Sequence, residues 1–335
     1  MESMPSMHTV RAFTDADSPG LFDPVMQLHQ KSHGGNEKML FYLLAKSRNP
    51  AAFEDFIYLS QLVQADTVRF ATDCWRRRMG LSNGSLFWQF NDCWPVASWS
   101  GIDYKKQLKA VTYKARHFNK ALCLSNDYYK NRAELYVINE YPQDFCGTLE
   151  WTLCDFFGNT INNGVCPVSV GAATSARPVV LPFAEILNGH KKEDAALLVK
   201  LIGNGQVLDE KHWLLVADKD ARLPRASIDI ECSQAGALVL VTLHSPVYAR
   251  HVFIEAEDVT APWSDNFFDI PAGHRAVITV QLPPGIDAEM LRKRIRVKSL
   301  ADVQPKNSKL ADTWIRFLMV LRKGNFITWL IFKLV

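Results

Sequence analysis

The sequence has no excess charge of either sign. Its 38 Lys and Arg residues face 35 Asp and Glu, a formal net charge of +3 over 335 residues. That balance removes the electrostatic ground for nucleic acid as a partner. Zinc-ligand spacing is missing too. The seven cysteines, Cys74, Cys93, Cys123, Cys146, Cys154, Cys166 and Cys232, are odd in number and include no C-x-x-C pair. They read as free thiols of a reducing compartment, behaving as small hydrophobes. The opening MESMPSMHTV has no basic stretch followed by an apolar one, so it does not read as a signal peptide and a cytoplasmic location is expected.

A long uncharged apolar run is also lacking. The ending DTWIRFLMVLRKGNFITWLIFKLV is interrupted by Arg316, Arg322, Lys323 and Lys333. Its uncharged runs fall short of the ~20 residues a spanning helix needs. Residues 305–335 therefore read as an apolar extension that docks on a larger protein, with membrane contact disfavoured.

What is present is a chain long enough for two or three domains. Nine tryptophans stand out, since flat indole rings stack on pyranose faces and also fill large cores. The first 125 residues have helical spacing. Phe56, Leu59, Val63, Thr67, Phe70 and Cys74 recur at three- and four-residue steps, the stripe of an amphipathic helix. Asn49-Pro50 opens it, Glu54 and Asp55 lie in its early turns, Arg76, Arg77 and Arg78 in its last, and Gly80 follows as a stop. The arginine run thus has a structural explanation. After the LSNG turn, SLFWQF has strand length, and helical spacing returns at YKKQLKAVTYKARHFNKALCLS. Helix, loop, strand, loop, helix is the grammar of α/β units, and this stretch fits the end of a (β/α)₈ barrel.

From about residue 130 the period changes to two. RAELYVINEY, GTLEWTLCDFFGN, ALVLVTLHS, ARHVFIEAEDV and RAVITVQL alternate or run apolar between Gly-Asn, Asn-Gly and Pro-Gly turns. This is the pattern of antiparallel sandwiches of about 100 residues each, and residues 126–304 hold two. DKDARLPRAS, near 218–227, is the linker between 126–220 and 221–304. The fold expected is therefore multidomain, α/β plus all-β: an incomplete barrel over 1–125, then two immunoglobulin-like β-sandwiches.

The densest motif is SLFWQFNDCWPVASW, residues 85–99. On a barrel strand, Trp88, Gln89, Asn91, Asp92 and Trp94 would sit at the C-terminal rim, where such folds place their chemistry. A glycosidase pocket needs a ring platform, groups that fix hydroxyls, and two carboxylates, about 5–5.5 Å apart in a retaining enzyme. The segment offers platform and amides. Asp92 is its one acid, suited equally to a pocket or to capping a loop.

LFWQFNDCWPVASWSGIDY resembles the eighth-strand region of β-mannosidases of glycoside hydrolase family 2. MPSMHTVRAF and VMQLHQKSHGGNEKML are similar to the stretch that follows the family's nucleophile, and WSDNFFDIPAG to its last immunoglobulin-like domain. The resemblance runs in order from about residue 2 to 304. It implies a retaining exo-β-mannosidase that acts on terminal β-D-mannose of oligosaccharides or glycans without metal or cofactor.

It also implies that the segments carrying the nucleophile and the acid/base glutamate fall before Met1. The chain then holds no catalytic carboxylate of its own, is inactive alone, and has the missing N-terminal barrel portion as its partner. Glu2 aligns just after the nucleophile. Trp88 is implied as a wall of the sugar subsite, with Gln89, Asn91 and Asp92 as substrate-binding or supporting groups and Trp94 and Trp99 as packing. His29, Gln30 and Asn36 are candidates for the pocket border. Two alternatives stand beside this reading: a non-catalytic sugar-binding or interaction module, and a related exo-glycosidase such as a β-glucosaminidase.

Overall fold

Helix is the main regular structure of the first 121 residues. The computed structural model describes residues 1–15, 19–257, 259, 261–303, 305 and 307–322. Contacts divide the chain into two units. One holds residues 1–67, 88–111 and those from 303 onwards; the other holds 68–87 and 112–302.

The long helix expected from the apolar steps runs over Phe53–Arg76, and Gly80 follows it in the left-handed region. Its first half buries Phe56, Leu59, Leu62 and Val63, but Phe70 in its second half is exposed. There the buried face consists of Thr72, Asp73 and Arg76. The arginines explain the change of face. The Arg76 guanidinium pairs with Glu140 at 2.8 Å and donates to the carbonyls of Phe118 and Lys120. Arg77 donates to Ser125 Oγ and Asn126 O, and pairs with Asp127 at 3.0 Å. Arg76 and Arg77 are therefore consumed inside the fold, while Arg78 is exposed.

The expected barrel strand at 85–90 does not form. A strand exists only where neighbours supply its backbone partners. Among the described residues no ladder flanks this segment. Pairing in its unit consists of isolated bridges, including Ser3↔Ser98, Gln30↔Ala97 and Asn91↔Ile102, so a barrel sheet is not evident. The helix Gly35–Lys46 precedes the long one, and the helix Ala110–Phe118 follows it.

The alternating region forms antiparallel sheets throughout. In the first sandwich the strands are β1 (Leu122–Tyr128), β2 (Arg132–Asn139), β3 (Phe145–Asp155), β4 (Thr160–Val170), β5 (Thr174–Pro182), β6 (Ala195–Gly203) and β7 (Gln206–Leu214). They order as β1-β2-β5 and β4-β3-β6-β7. Leu135 and Val137 from one sheet meet Leu149, Leu153, Val199 and Leu201 from the other in a closed core. Asn204 and Gly205, both at positive φ, make the two-residue turn between β6 and β7 that an Asn-Gly pair favours.

The second sandwich comprises β8 (Asp229–Ala235), β9 (Leu238–His244), β10 (Ala249–Ala256), β11 (Phe268–Ile270), β12 (Arg275–Gln281) and β13 (Ile295–Lys298). Their orders are β12-β9-β8 and β11-β10-β13. The two sandwiches meet at a buried cluster of Phe156, Ala196, Leu214 and Tyr248.

Of the C-terminal extension, the described part is a helix, Lys309–Arg322. Its Asp312 is buried against Arg48 at 3.1 Å, and Arg316 lies 4.8 Å over the ring of Phe41. The docking expected of residues 323–335 lies outside the described residues. No helix among the described residues is long and apolar enough to cross a membrane.

Candidate functional site

The segment from Trp88 to Asp103 closes on itself. Gln89 N donates to Trp99 O at 3.3 Å, Gly101 N to Gln89 O at 2.9 Å, and Asp92 N to Ile102 O at 3.1 Å. With no ladder available, these crossed bonds hold the loop open-faced. The Trp88–Gln89 peptide is cis.

The loop sorts its residues by depth. Trp88 is 74% exposed, Asn91 is exposed and Gln89 is half-buried. Asp92 lies beneath them, 5% exposed. Ser98 Oγ donates to its carboxylate at 2.8 Å, Ser100 Oγ at 2.5 Å and Gln89 Nε2 at 3.4 Å. Gln89 Nε2 also donates to Asn91 O at 2.8 Å, and its Oε1 accepts from Lys31 Nζ at 3.3 Å. Asp92 is thus a buried acceptor that orients Gln89, while Trp88 stands exposed and the exposed Asn91 donates through Nδ2 to Asp92 O at 3.2 Å.

His29 sits beside this loop. Its ring stacks on Phe13 at 4.1 Å, tilts against Trp94 at 5.3 Å and donates through Nδ1 to Pro95 O at 2.6 Å. Gln30 Nε2 donates to Asn36 Oδ1 at 2.7 Å. The fully buried Asn36 in turn donates to Leu21 O and Met26 O. Gln30 and Asn36 therefore tie the 21–36 loop together. Trp94 is partly exposed, and Trp99 O accepts from Gln64.

Glu2 is buried, and its Oε2 has no hydrogen-bond partner among the described residues. Gly35 makes room for it: a Cβ there would lie 2.4 Å from that oxygen. Lys109 is fully buried. Its Nζ donates to Ser3 O and Ser98 O, each at 3.4 Å. Burial lowers its ammonium to about 8, against the carboxylates of Asp92, Asp103 and Glu2 that favour the charge. Lys31, Ser98 and Ser100 lie within the motifs that carry the resemblance without being singled out, and Lys109 lies outside them. The alternation of Ser98 and Ser100 around Trp99 is the one trace that could have marked them.

Chemically, the arrangement presents an exposed indole flanked by two amides and a lysine, a surface suited to a flat, hydroxyl-rich ligand. It presents no free carboxylate from Asp92, whose oxygens are taken by hydroxyls.

Comparison with known proteins agrees with this fold. A family model described as "Mannosidase Ig/CBM-like domain" matches residues 131–220, and a mannosidase "Ig-fold domain" matches 223–303. A curated "Beta-mannosidase B" of Aspergillus fumigatus is 30% identical over 311 residues, 85% of this chain and 36% of that protein. The "Beta-mannosidase" of Capra hircus is 26% identical over 325 residues, covering 90% of this chain and 36% of its own length. The crystal structure of a β-D-mannosidase from Dictyoglomus thermophilum shares the fold at a TM-score of 0.79 and 23% identity, over 89% of this chain and 36% of that one. The chain thus spans roughly a third of the length of these relatives. Two mannosidase sandwich domains in series, and likeness to β-mannosidases along most of its length, make the chain a C-terminal portion of the β-mannosidase family.

Proposed function

We propose that this chain forms part of a retaining exo-β-mannosidase of glycoside hydrolase family 2, which removes terminal β-D-mannose from oligosaccharides or glycans. In this reading Trp88 is the platform for the sugar ring, Gln89 and Asn91 bond its hydroxyls, and Asp92 holds Gln89 in place from below. The exposed indole of Trp88 beside hydrogen-bonded amides is the observation that carries the assignment. The names of the relatives supply the sugar.

Double displacement at an anomeric carbon needs a nucleophile and an acid/base carboxylate. The loop offers neither, so both are proposed to come from the portion of the protein that the relatives possess beyond this region. Residues 1–125 would complete a (β/α)₈ barrel with that portion. Leu28, Trp88 and Phe90, all more than 70% exposed, are in keeping with such a partner. Seven free cysteines are in keeping with a cytoplasmic setting.

The test is hydrolysis of p-nitrophenyl β-D-mannopyranoside by the purified chain, with and without the upstream barrel portion supplied as a second chain. The chain alone should show no turnover above its Trp88→Ala variant. The reconstituted pair should turn over, and Trp88→Ala should lower its kcat/KM at least about tenfold, the equivalent of ~1.4 kcal/mol. Turnover by the chain alone that disappears in Glu2→Gln would overturn the assignment of the carboxylates.

A further inference from the structure

We propose that Lys109 is a positioning residue of the sugar platform, fixing the Trp88 loop to the N-terminal segment through the carbonyls of Ser98 and Ser3. The inference deepens the reading above and rests on it for the ligand, but its geometry stands by itself.

Three connections run from Lys109, two to the loop and one to the N-terminal segment. Its ammonium bonds Ser98 O, and Ser98 Oγ holds Asp92, which accepts from Gln89. Its backbone N donates to Gly101 O at 2.9 Å, while Gly101 N donates to Gln89 O at the same distance. The ammonium also bonds Ser3 O, on the strand-like segment that bridges Ser98. One buried cation therefore grips both sides of the Ser3↔Ser98 bridge, one residue pair away from the platform.

Electrostatics give that grip a direction. Three carboxylates face Lys109: Asp92 and Asp103 from the loop, and Glu2 from the N-terminal segment. Asp92 is bonded by Ser98 and Ser100, Asp103 by Ser6 and the Gln107 amide, and Glu2 Oε2 has no hydrogen-bond partner among the described residues. Hydroxyls and amides satisfy hydrogen bonds but do not neutralise charge, and uncompensated buried charge is costly. Loss of the Lys109 proton leaves Asp92 without the facing ammonium and turns the two charge-assisted hydrogen bonds to the carbonyls into weaker neutral ones. The loop that orients Gln89 and Trp88 then relaxes. A lysine serving only to fill space would leave the Trp88 environment indifferent to its protonation.

The test uses the full chain labelled with 5-fluorotryptophan, with the Trp88 resonance assigned by Trp88→Phe and followed by fluorine NMR from about pH 6 to 10. The Trp88 resonance should shift in a single step with a midpoint near 8, while those of Trp151 and Trp213 in the first sandwich stay constant. In Lys109→Arg, which keeps its charge over the whole range, the step should vanish. A flat Trp88 titration in the unmutated chain, or an unchanged step in Lys109→Arg, overturns the proposal.

Should Lys109→Arg fail to fold, lysine ε-carbon labelling of the unmutated chain decides the matter. Coincident midpoints for Lys109 and Trp88 support the assignment, and midpoints more than about one pH unit apart reject it. The amino group of Met1, lowered below 8 by burial against the pull of Glu2, is told apart by the same comparison. No sugar enters these measurements, so they can fail while the β-mannoside reading stands, and the reverse.

Discussion

The sandwich-bearing unit and the unit that carries Trp88 both bury an apolar core, but they differ in how the backbone around their exposed and buried apolar residues is paired. In the sandwiches, Leu135, Val137, Leu149, Leu153, Val199 and Leu201 are all fully buried, facing one another across two sheets. In the other unit Leu28, Trp88 and Phe90 stand open. The difference follows from where backbone partners come from. Antiparallel strands find theirs across a short turn, such as Asn204-Gly205, so each sandwich completes itself within about 100 residues. Parallel barrel strands depend on neighbours that arrive a helix or more away in the chain. Around Trp88, pairing among the described residues consists of isolated bridges, and Leu28, Trp88 and Phe90 stay open.

This contrast is sharpest at the junction of the two sandwiches. Arg250 pairs with Asp269 at 2.5 Å and with Asp218 at 3.4 Å, His251 Nε2 lies 3.2 Å from Asp218, and Tyr248 donates to Asp269 at 2.8 Å. Removing one partner of such a buried set leaves an uncompensated charge. Asp269→Asn should therefore cost about 3–5 kcal/mol, read as a lowered urea midpoint for the sandwich unit.

The same junction sets the acid response. Burial would raise the carboxyls of Asp218 and Asp269, but Arg250 and His251 hold both well below the usual range. Burial, with Arg250 and Lys114, lowers His251 despite Asp218. All three folded-state values are depressed, so their contributions are complete above the unfolded pKa and are lost on acidification. Stability should begin to fall below about pH 6.5 through His251 and steeply below about pH 4 through the two aspartates. A melting temperature unchanged from neutral pH to about pH 4 would contradict the histidine part.

Leu149→Ala, in the closed core of the first sandwich, should cost about 2–5 kcal/mol. Phe90→Ser, an equally drastic loss of apolar surface in the open unit, should leave stability within about 0.5 kcal/mol and reduce self-association in sedimentation. Equal costs for the two would end the distinction between closed and open faces. Gly205→Ala should cost about 1–2 kcal/mol, because a left-handed φ of 75° is strained for any residue with a Cβ. Trp88→Ala should have the smallest effect on stability, under about 0.5 kcal/mol, and still lower the kcat/KM of the reconstituted pair at least about tenfold.

The helix at Phe53–Arg76 was legible because a stripe, acidic early turns and a closing glycine agree. Its second half was not, since Thr72, Asp73 and Arg76 are buried for their polar contacts and carry no apolar period. The sandwiches were legible because a period of two cannot serve a helix. At the candidate site, Trp88, Gln89, Asn91 and Asp92 could be named from the motif. Their depths could not: Asp92 lies below and Asn91 outside through bonds to Ser98, Ser100 and Ile102 that no local pattern encodes. Lys109 is seventeen positions from Asp92, at the head of a helix whose spacing says nothing of its ammonium.

By itself the sequence determined the alternation that builds the sandwiches, the length and start of the long helix, and the tryptophan-amide motif that places the chain among β-mannosidases. Local periodicity and residue chemistry suffice for these. Tertiary structure alone decided that 85–90 is a loop and not a strand, that Arg77 is spent on β1, and that a buried lysine stands behind the Trp88 loop. Each of these depends on partners distant in sequence, and a hydrogen bond or a buried charge is fixed by what folding brings beside it.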